Sequence, residues 1–230
     1  MHKLEPIAEL IHQEFEARTK ARDQALSQAR ALTRHCAMAI RAVHRDEADT
    51  MQEHLDEAQK LADALRKDLA QKYPDLYFAG YTQDALKEFA EASITCALVR
   101  HQALPDPAEL DMPSFTYLNG LAESIGELRR RCLDMLRQSN SAEAEHLLGH
   151  MDDIFSILVT MDYPDAVTNG LRRQTDVARS ILERTRGDLT FSLRGEQLER
   201  SISRLSEKLP GTGPLKGGAQ LVPPPASDED

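Results

Sequence analysis

Residues 86–99 read LKEFAEASITCALV. Leu86, Phe89, Ala90, Ile94, Ala97, Leu98 and Val99 cover so much of a helical circumference that almost no polar face remains beyond the first turn. A surface helix shows a polar stripe, and one that is apolar nearly all round lies inside a larger helical assembly. Two residues resist that reading. Glu88 and Glu91 sit in the segment one turn apart, and no Lys, Arg or His follows them before Arg100.

The rest of the chain supports an all-α protein. Strand signals are scarce: Trp is absent, aromatics make up 5%, and Ala, Leu, Glu, Arg and Gln, all strong helix formers, dominate. The 230 residues are enough to bury a real core. The pattern predicts a first helix over 4–44, a second over 46–73 stopped by Pro74, and a loop at PDLYFAGY. A third helix starts near Thr82 and ends before the proline-rich HQALPDPAELDMPS. A fourth runs from Ser114 or Thr116 to 137 and a fifth from SNSAEAE to 161. A sixth runs from Pro164 to 186, and a seventh over 189–209 holds Gly195 as a candidate break. From Gly211 the text turns to Gly, Pro and acid, so residues 1–209 are expected as one helical domain and 210–230 as a disordered tail.

The net charge of −10 removes global basicity as a nucleic-acid signal, while 28 Lys and Arg remain to be segregated onto one face. Cys36, Cys96 and Cys132 are odd in number and each lies in a helical pattern, which fits reduced core thiols and a cytoplasmic setting. The opening MHKLEPIAEL lacks the apolar core of a signal peptide, and no apolar run reaches the ~18 residues of a membrane span, so no membrane association is expected. P-loop, dinucleotide, nucleophile-elbow and four-cysteine motifs are all missing.

Carboxylates carry the sharpest chemical signal. Glu88 and Glu91, three apart, share one helix face, and Asp84 extends it. In the fourth helix GLAESIGEL places Glu123 and Glu127 four apart among Leu121, Ala122, Ile125 and Leu128. Gly126 beside Glu127 weakens the helix and is expected to admit a close backbone approach. Unpaired buried carboxylates repel, so such a set must protonate or find a cation. Four of them from two helices suit hard Mg2+ or Mn2+. The alternative is that each pair is salt-bridged, with Lys87, Arg129 and Arg130 as partners.

A second signal is basic. Arg30, Arg34, Arg41 and Arg45 fall within an arc of about 60° on the first helix, with His44 beside them. Guanidinium forks match phosphate oxygens, so these five are candidate nucleic-acid contacts; pairing with acids of the second helix is the other reading. Arg18 and Arg22 lie on a neighbouring strip, and Arg172, Arg173, Arg179, Arg184 and Arg186 form a further cluster of the same ambiguity. Glu143 and His146 make one E-x-x-H; a di-iron bundle needs two, so this one is expected as a surface pair.

Three segments, AGYTQDALKEFAEASITCAL, YLNGLAESIGELRRRCLDML and DYPDAVTNGLRRQTDVARSILERTRGDLTFSLR, together with SQARALTRHCAMAIRAVHR in the first helix, resemble the translin family from about residue 10 to 205. KEFAEA and LAESIGEL are similar to the acidic segments of its translin-associated factor X branch, which implies metal-binding and catalytic roles for Glu88, Glu91, Glu123 and Glu127. Glu123 departs from the Asp of the eukaryotic pattern. The resemblance implies a seven-helix fold that assembles, in prokaryotic relatives from one chain type, into a hollow homo-oligomer of about six to eight subunits. It further implies binding of single-stranded RNA, with DNA as a second ligand, and Mg2+-dependent endoribonuclease activity. Its other branch implies single-stranded binding without chemistry.

Overall fold

A computed structural model describes residues 4–208. The elements are α1 (Leu4–His44), α2 (Ala48–Leu69), α3 (Pro74–Tyr77), α4 (Gly80–Val99), α5 (Ser114–Arg137), α6 (Ser141–Leu158), α7 (Asp165–Thr168) and α8 (Leu171–Lys208). The fold is all-α, as expected, and no strand occurs among the described residues. None of these helices is long and apolar enough to cross a membrane. The tail expected over 210–230 lies outside the described residues.

The chain forms two compact units, one ending at Leu189 and the other beginning at Thr190. In the first, α1 and α2 make an antiparallel hairpin. Ala25, Ala29, Leu32, Cys36, Ala39 and Val43 of α1 are buried at spacings that alternate four and three. Ala58, Ala62, Leu65 and Leu69 of α2 repeat the same alternation. That is the seam of a short coiled coil, and its alanines let the two backbones approach closely. The turn between them is fastened by Arg131, which donates to Asp46 at 2.7 Å and to the His44 carbonyl at 3.2 Å.

Helix α4 lies between this hairpin and α5. Leu86, Phe89 and Ile94 are fully buried, each contributing roughly 1.5–3 kcal/mol by leaving water. The wrapped helix read from residues 86–99 is therefore the centre of the bundle. Helix α6 packs on α5, and the buried Leu171, Ala178, Leu182 and Leu189 give the first part of α8 an apolar face.

Boundaries differ in places that have clear causes. PDLYFAGY holds the single turn α3, which Pro74 opens as a first helical residue. Thr82 is not a cap; α4 starts at Gly80, and Thr82 donates its hydroxyl to the Leu76 carbonyl at 2.8 Å. The sixth and seventh expected helices are one element, α8, preceded by the single turn α7 that ends on left-handed Asn169. Gly187 and Gly195 do not break α8, since an isolated glycine weakens a helix by only about 1 kcal/mol and no proline accompanies it. The second unit consists, among the described residues, of the part of α8 from Thr190, with Phe191, Leu198, Ile202 and Leu205 exposed.

Candidate metal centre and nucleic-acid interface

Close contact between α4 and α5 creates the site. A β-carbon on Gly120 would lie 2.6 Å from Ala90 Cβ, 2.8 Å from the Lys87 carbonyl and 3.1 Å from the Glu91 nitrogen. Only glycine fits there, and this approach sets Glu123, one turn along α5, against the acids of α4. Gly126 is not the contact point: its β-carbon would meet nothing within 4 Å, because that face of α5 points away from its neighbours.

Glu88, Glu91 and Glu123 converge, each offering a carboxylate oxygen within 4.8 Å of the others. Glu91 is the most affected. Burial, and then the charges of Glu88, Glu123 and Glu127, push its carboxyl up to about 8. Glu88 is raised too, by burial first and by Glu123 and Asp84, while Lys87 opposes the shift. The same field reaches Cys36, whose thiol is raised by burial and by Glu88 and Glu91. Like Cys96 and Cys132 it is a buried free thiol.

Positive charge already enters the cluster. Lys87 Nζ lies 2.7 Å from Glu123 Oε2 and 3.9 Å from Glu88 Oε1. Burial lowers the affinity of this ammonium for its proton, but Glu123, Glu88 and Asp84 outweigh burial and hold its pKa high. Gln174 of α8 donates to Glu123 Oε1 at 2.8 Å, fixing that carboxylate from the far side.

Glu127 stands one turn beyond Glu123 and is turned to a different partner, His44 Nε2 at 2.6 Å. Arg130 approaches it at 3.7 Å. The His44 hydrogen bond, against the opposing effect of burial, holds the Glu127 carboxyl below its ordinary range. The His44 side chain is 3% exposed, so this ring belongs to the interior and not to the arginine stripe beside which it falls in the sequence.

Arg30, Arg34, Arg41 and Arg45 are exposed on α1. None forms an ion pair among the described residues, so the expected pairing with acids of α2 is absent there. Arg18 instead pairs with Asp75, and Arg22 contacts Asp23. In the C-terminal cluster Arg186 pairs with Asp152 and Arg179 stacks over Phe155. Arg129, a suggested partner of the acids, reaches Asp188 and Thr185. Between α1 and α4 runs an open groove of about 500 Å³. Arg30, Thr33, Tyr81, Asp84 and Glu88 line it, so it joins the arginine stripe to the acidic cluster.

The donor set fits a hard divalent cation: three carboxylates at mutual ligand spacing, one of them carrying excess repulsion that a cation would relieve. Two features of the site have no periodic signature, the glycine contact at Gly120 and the orientation of Gln174. Lys87, foreseen as a salt-bridge partner, is one.

No family model matches the chain. An uncharacterized protein of Methanocaldococcus jannaschii is 33% identical over 186 residues, spanning 80% of this chain and 82% of that protein. Among solved structures, AfC3PO in complex with duplex RNA superposes with a TM-score of 0.76 at 28% identity, covering 81% of this chain and 96% of that one. The apo-NeC3PO structure matches at 0.74 over 80% and 96%; at 18% identity it speaks to fold alone. With four fifths of both chains aligned to a relative at this identity, and the same span superposing on C3PO structures of the translin type, the chain belongs to the translin family.

Proposed function

We propose that this chain is a nucleic-acid-binding protein of the factor X-like type that assembles with copies of itself in the cytoplasm and cleaves single-stranded RNA with a divalent cation, Mg2+ or Mn2+. The observation that carries the reading is the convergence of Glu88, Glu91 and Glu123, with Glu91 pushed up to about 8. Groups at active sites are those whose pKa is moved by burial and like charge together. RNA as the ligand is supported by the duplex RNA in the matched AfC3PO complex and by the unpaired arginines of α1.

In this reading Glu88, Glu91 and Glu123 hold the cation, with Glu127 as the fourth acid. When bound, a hard cation polarises a phosphoryl oxygen and lowers the pKa of an attacking water. Arg30 and Arg34, with Arg41 and Arg45 along the same face, draw the phosphate backbone towards the groove that ends at Glu88. Gln174 keeps Glu123 aimed, His44 keeps Glu127 ionised, and Lys87 leaves the carboxylates to meet a phosphate.

The test is incubation of purified protein with labelled single-stranded and duplex RNA, with and without Mg2+, beside Glu91→Gln. Cleavage that needs Mg2+ and disappears in a folded Glu91→Gln variant is expected. Undiminished cleavage by that variant, or in EDTA, would overturn the proposal. One observation favours a second reading, binding of single-stranded RNA or DNA without chemistry: Lys87 and His44 already satisfy Glu123 and Glu127. RNA that is bound but left intact at every Mg2+ concentration would select it.

A further inference from the structure

Four side chains outside the carboxylate cluster meet where α4 ends beside α6. His146 and His150 stand one turn apart on α6, and their Nε2 atoms are 3.1 Å apart. His101 lies in the turn after α4. Its ring centroid is 5.1 Å from that of His146, and its Nε2 is 3.4 Å from Glu143 Oε1.

The position of His101 is itself unusual. Its backbone is left-handed, at φ +53°, and the following amide, that of Gln102, donates back to the Ala97 carbonyl at 2.8 Å. Glycine is the ordinary residue in such a helix-ending turn, and any β-carbon there is disfavoured by on the order of 1 kcal/mol. Packing does not explain a histidine, since its side chain is 54% exposed.

We propose that His146 and His150, completed by His101 and Glu143, bind a borderline divalent transition metal of the zinc class. Two nitrogens held by one tetrahedral zinc at about 2.05 Å lie roughly 3.3 Å apart. The helix already spaces its two imidazoles to within a few tenths of an ångström of that. Without an ion the close pair requires one ring to donate to the other; with one, both present lone pairs. His101 adds a third imidazole from a separate element. Glu143 either completes the set or holds the other ring nitrogen of His101, as carboxylates commonly do for metal-bound histidines.

The donor chemistry separates this site from the acids of α4 and α5. Imidazoles select zinc, nickel or copper, while an all-carboxylate set selects magnesium or manganese. Burial, then the neighbouring His146 and His101, lower the pKa of His150, while Asp153 and Glu143 act in the opposite direction. The net effect keeps this imidazole deprotonated near neutrality, the state that ligation needs. A bound ion would tie the end of α4 to α6, two helices that otherwise meet only sparingly because α5 is the main neighbour of both.

Calorimetric titration of dialysed full-length protein with Zn2+ tests the idea, with Co2+ absorption reporting coordination geometry. The variants are His146→Gln with His150→Gln, Glu143→Gln, and two controls, Glu91→Gln and His35→Gln. The second control addresses the other close imidazole pair, His35 and His54, whose Nδ1 atoms are 3.2 Å apart. The double variant should bind Zn2+ at least tenfold more weakly and lose the tetrahedral Co2+ bands. Glu143→Gln should weaken binding by about tenfold, and both controls should match wild type. Unchanged Zn2+ affinity in the double variant, verified as folded by circular dichroism, would overturn the proposal, as would loss of binding in His35→Gln or Glu91→Gln instead. The outcome is independent of whether the protein cleaves RNA.

Discussion

Replacing Glu91 by Gln should make the metal-free protein more stable, not less. A carboxyl whose folded pKa lies above its unfolded value binds its proton more tightly in the native state. Its contribution is then fully present below the unfolded value near 4.5 and is lost as pH rises through about 8. At about 1.36 kcal/mol per unit, the loss incurred by pH 7 is at most about 3 kcal/mol. Gln keeps the shape of the protonated acid and cannot ionise, so it escapes that loss. For a domain of this size the gain corresponds to a rise in Tm of about 6–12 °C. The assay is urea unfolding of wild type and Glu91→Gln, followed by circular dichroism between roughly pH 5 and pH 8 in EDTA. Their stabilities should separate as pH rises and come together towards the acid end. Mg2+ at the alkaline end should narrow the gap by stabilising only the wild type. A variant no more stable than wild type at pH 7, or a difference that does not change with pH, would show that Glu91 is not held by repulsion in a buried cluster.

Two glycines of α5 should respond oppositely to alanine. Gly120→Ala should destabilise by about 1–3 kcal/mol through contacts with Ala90 and the α4 backbone. Gly126→Ala, facing open space, should stabilise by about 0.5–1 kcal/mol; both are read from urea midpoints. Lys87→Met should lower stability in EDTA and raise Mg2+ affinity measured calorimetrically, since it leaves the carboxylates without their internal cation. Arg34→Glu with Arg41→Glu should weaken single-stranded RNA binding and reduce the slope of log affinity against log salt by at least about 1.4, at about 0.7 per phosphate contact; an unchanged slope would remove the arginine stripe from the interface.

Much of this molecule could be read along the chain, because helices write their environment at a fixed period. The run from Leu4 to His44 has no breaker after Pro6, and α1 has those ends. The absence of a polar face in residues 86–99 marks α4 as central. The three- and four-residue spacings put each pair of acids on one face, which is a local matter. What the spacing cannot carry is which faces meet. His44 and Glu127 are 83 residues apart, and nothing periodic announces their hydrogen bond. Gly120 and Gly126 look alike in sequence; only the crossing of α4 and α5 tells which one is constrained. Gly187 and Gly195 suggested interruptions that tertiary packing and the surrounding helix formers overrode. Glu143 and His146 were legible as a pair, but His101 reaches them from another element.

Lys87 gives the carboxylate cluster a history before any ion arrives. A zinc finger has no native state without its metal, because nothing else can offset the repulsion among its ligands. Here a tethered ammonium sits against Glu123 and Glu88, so the bundle can fold first and acquire its ion later. Loading then becomes an exchange of one cation for another, reversible without unfolding, and responsive to the free divalent concentration around the protein. The displaced lysine is freed at the mouth of the site just when a polyanion would need a positive charge.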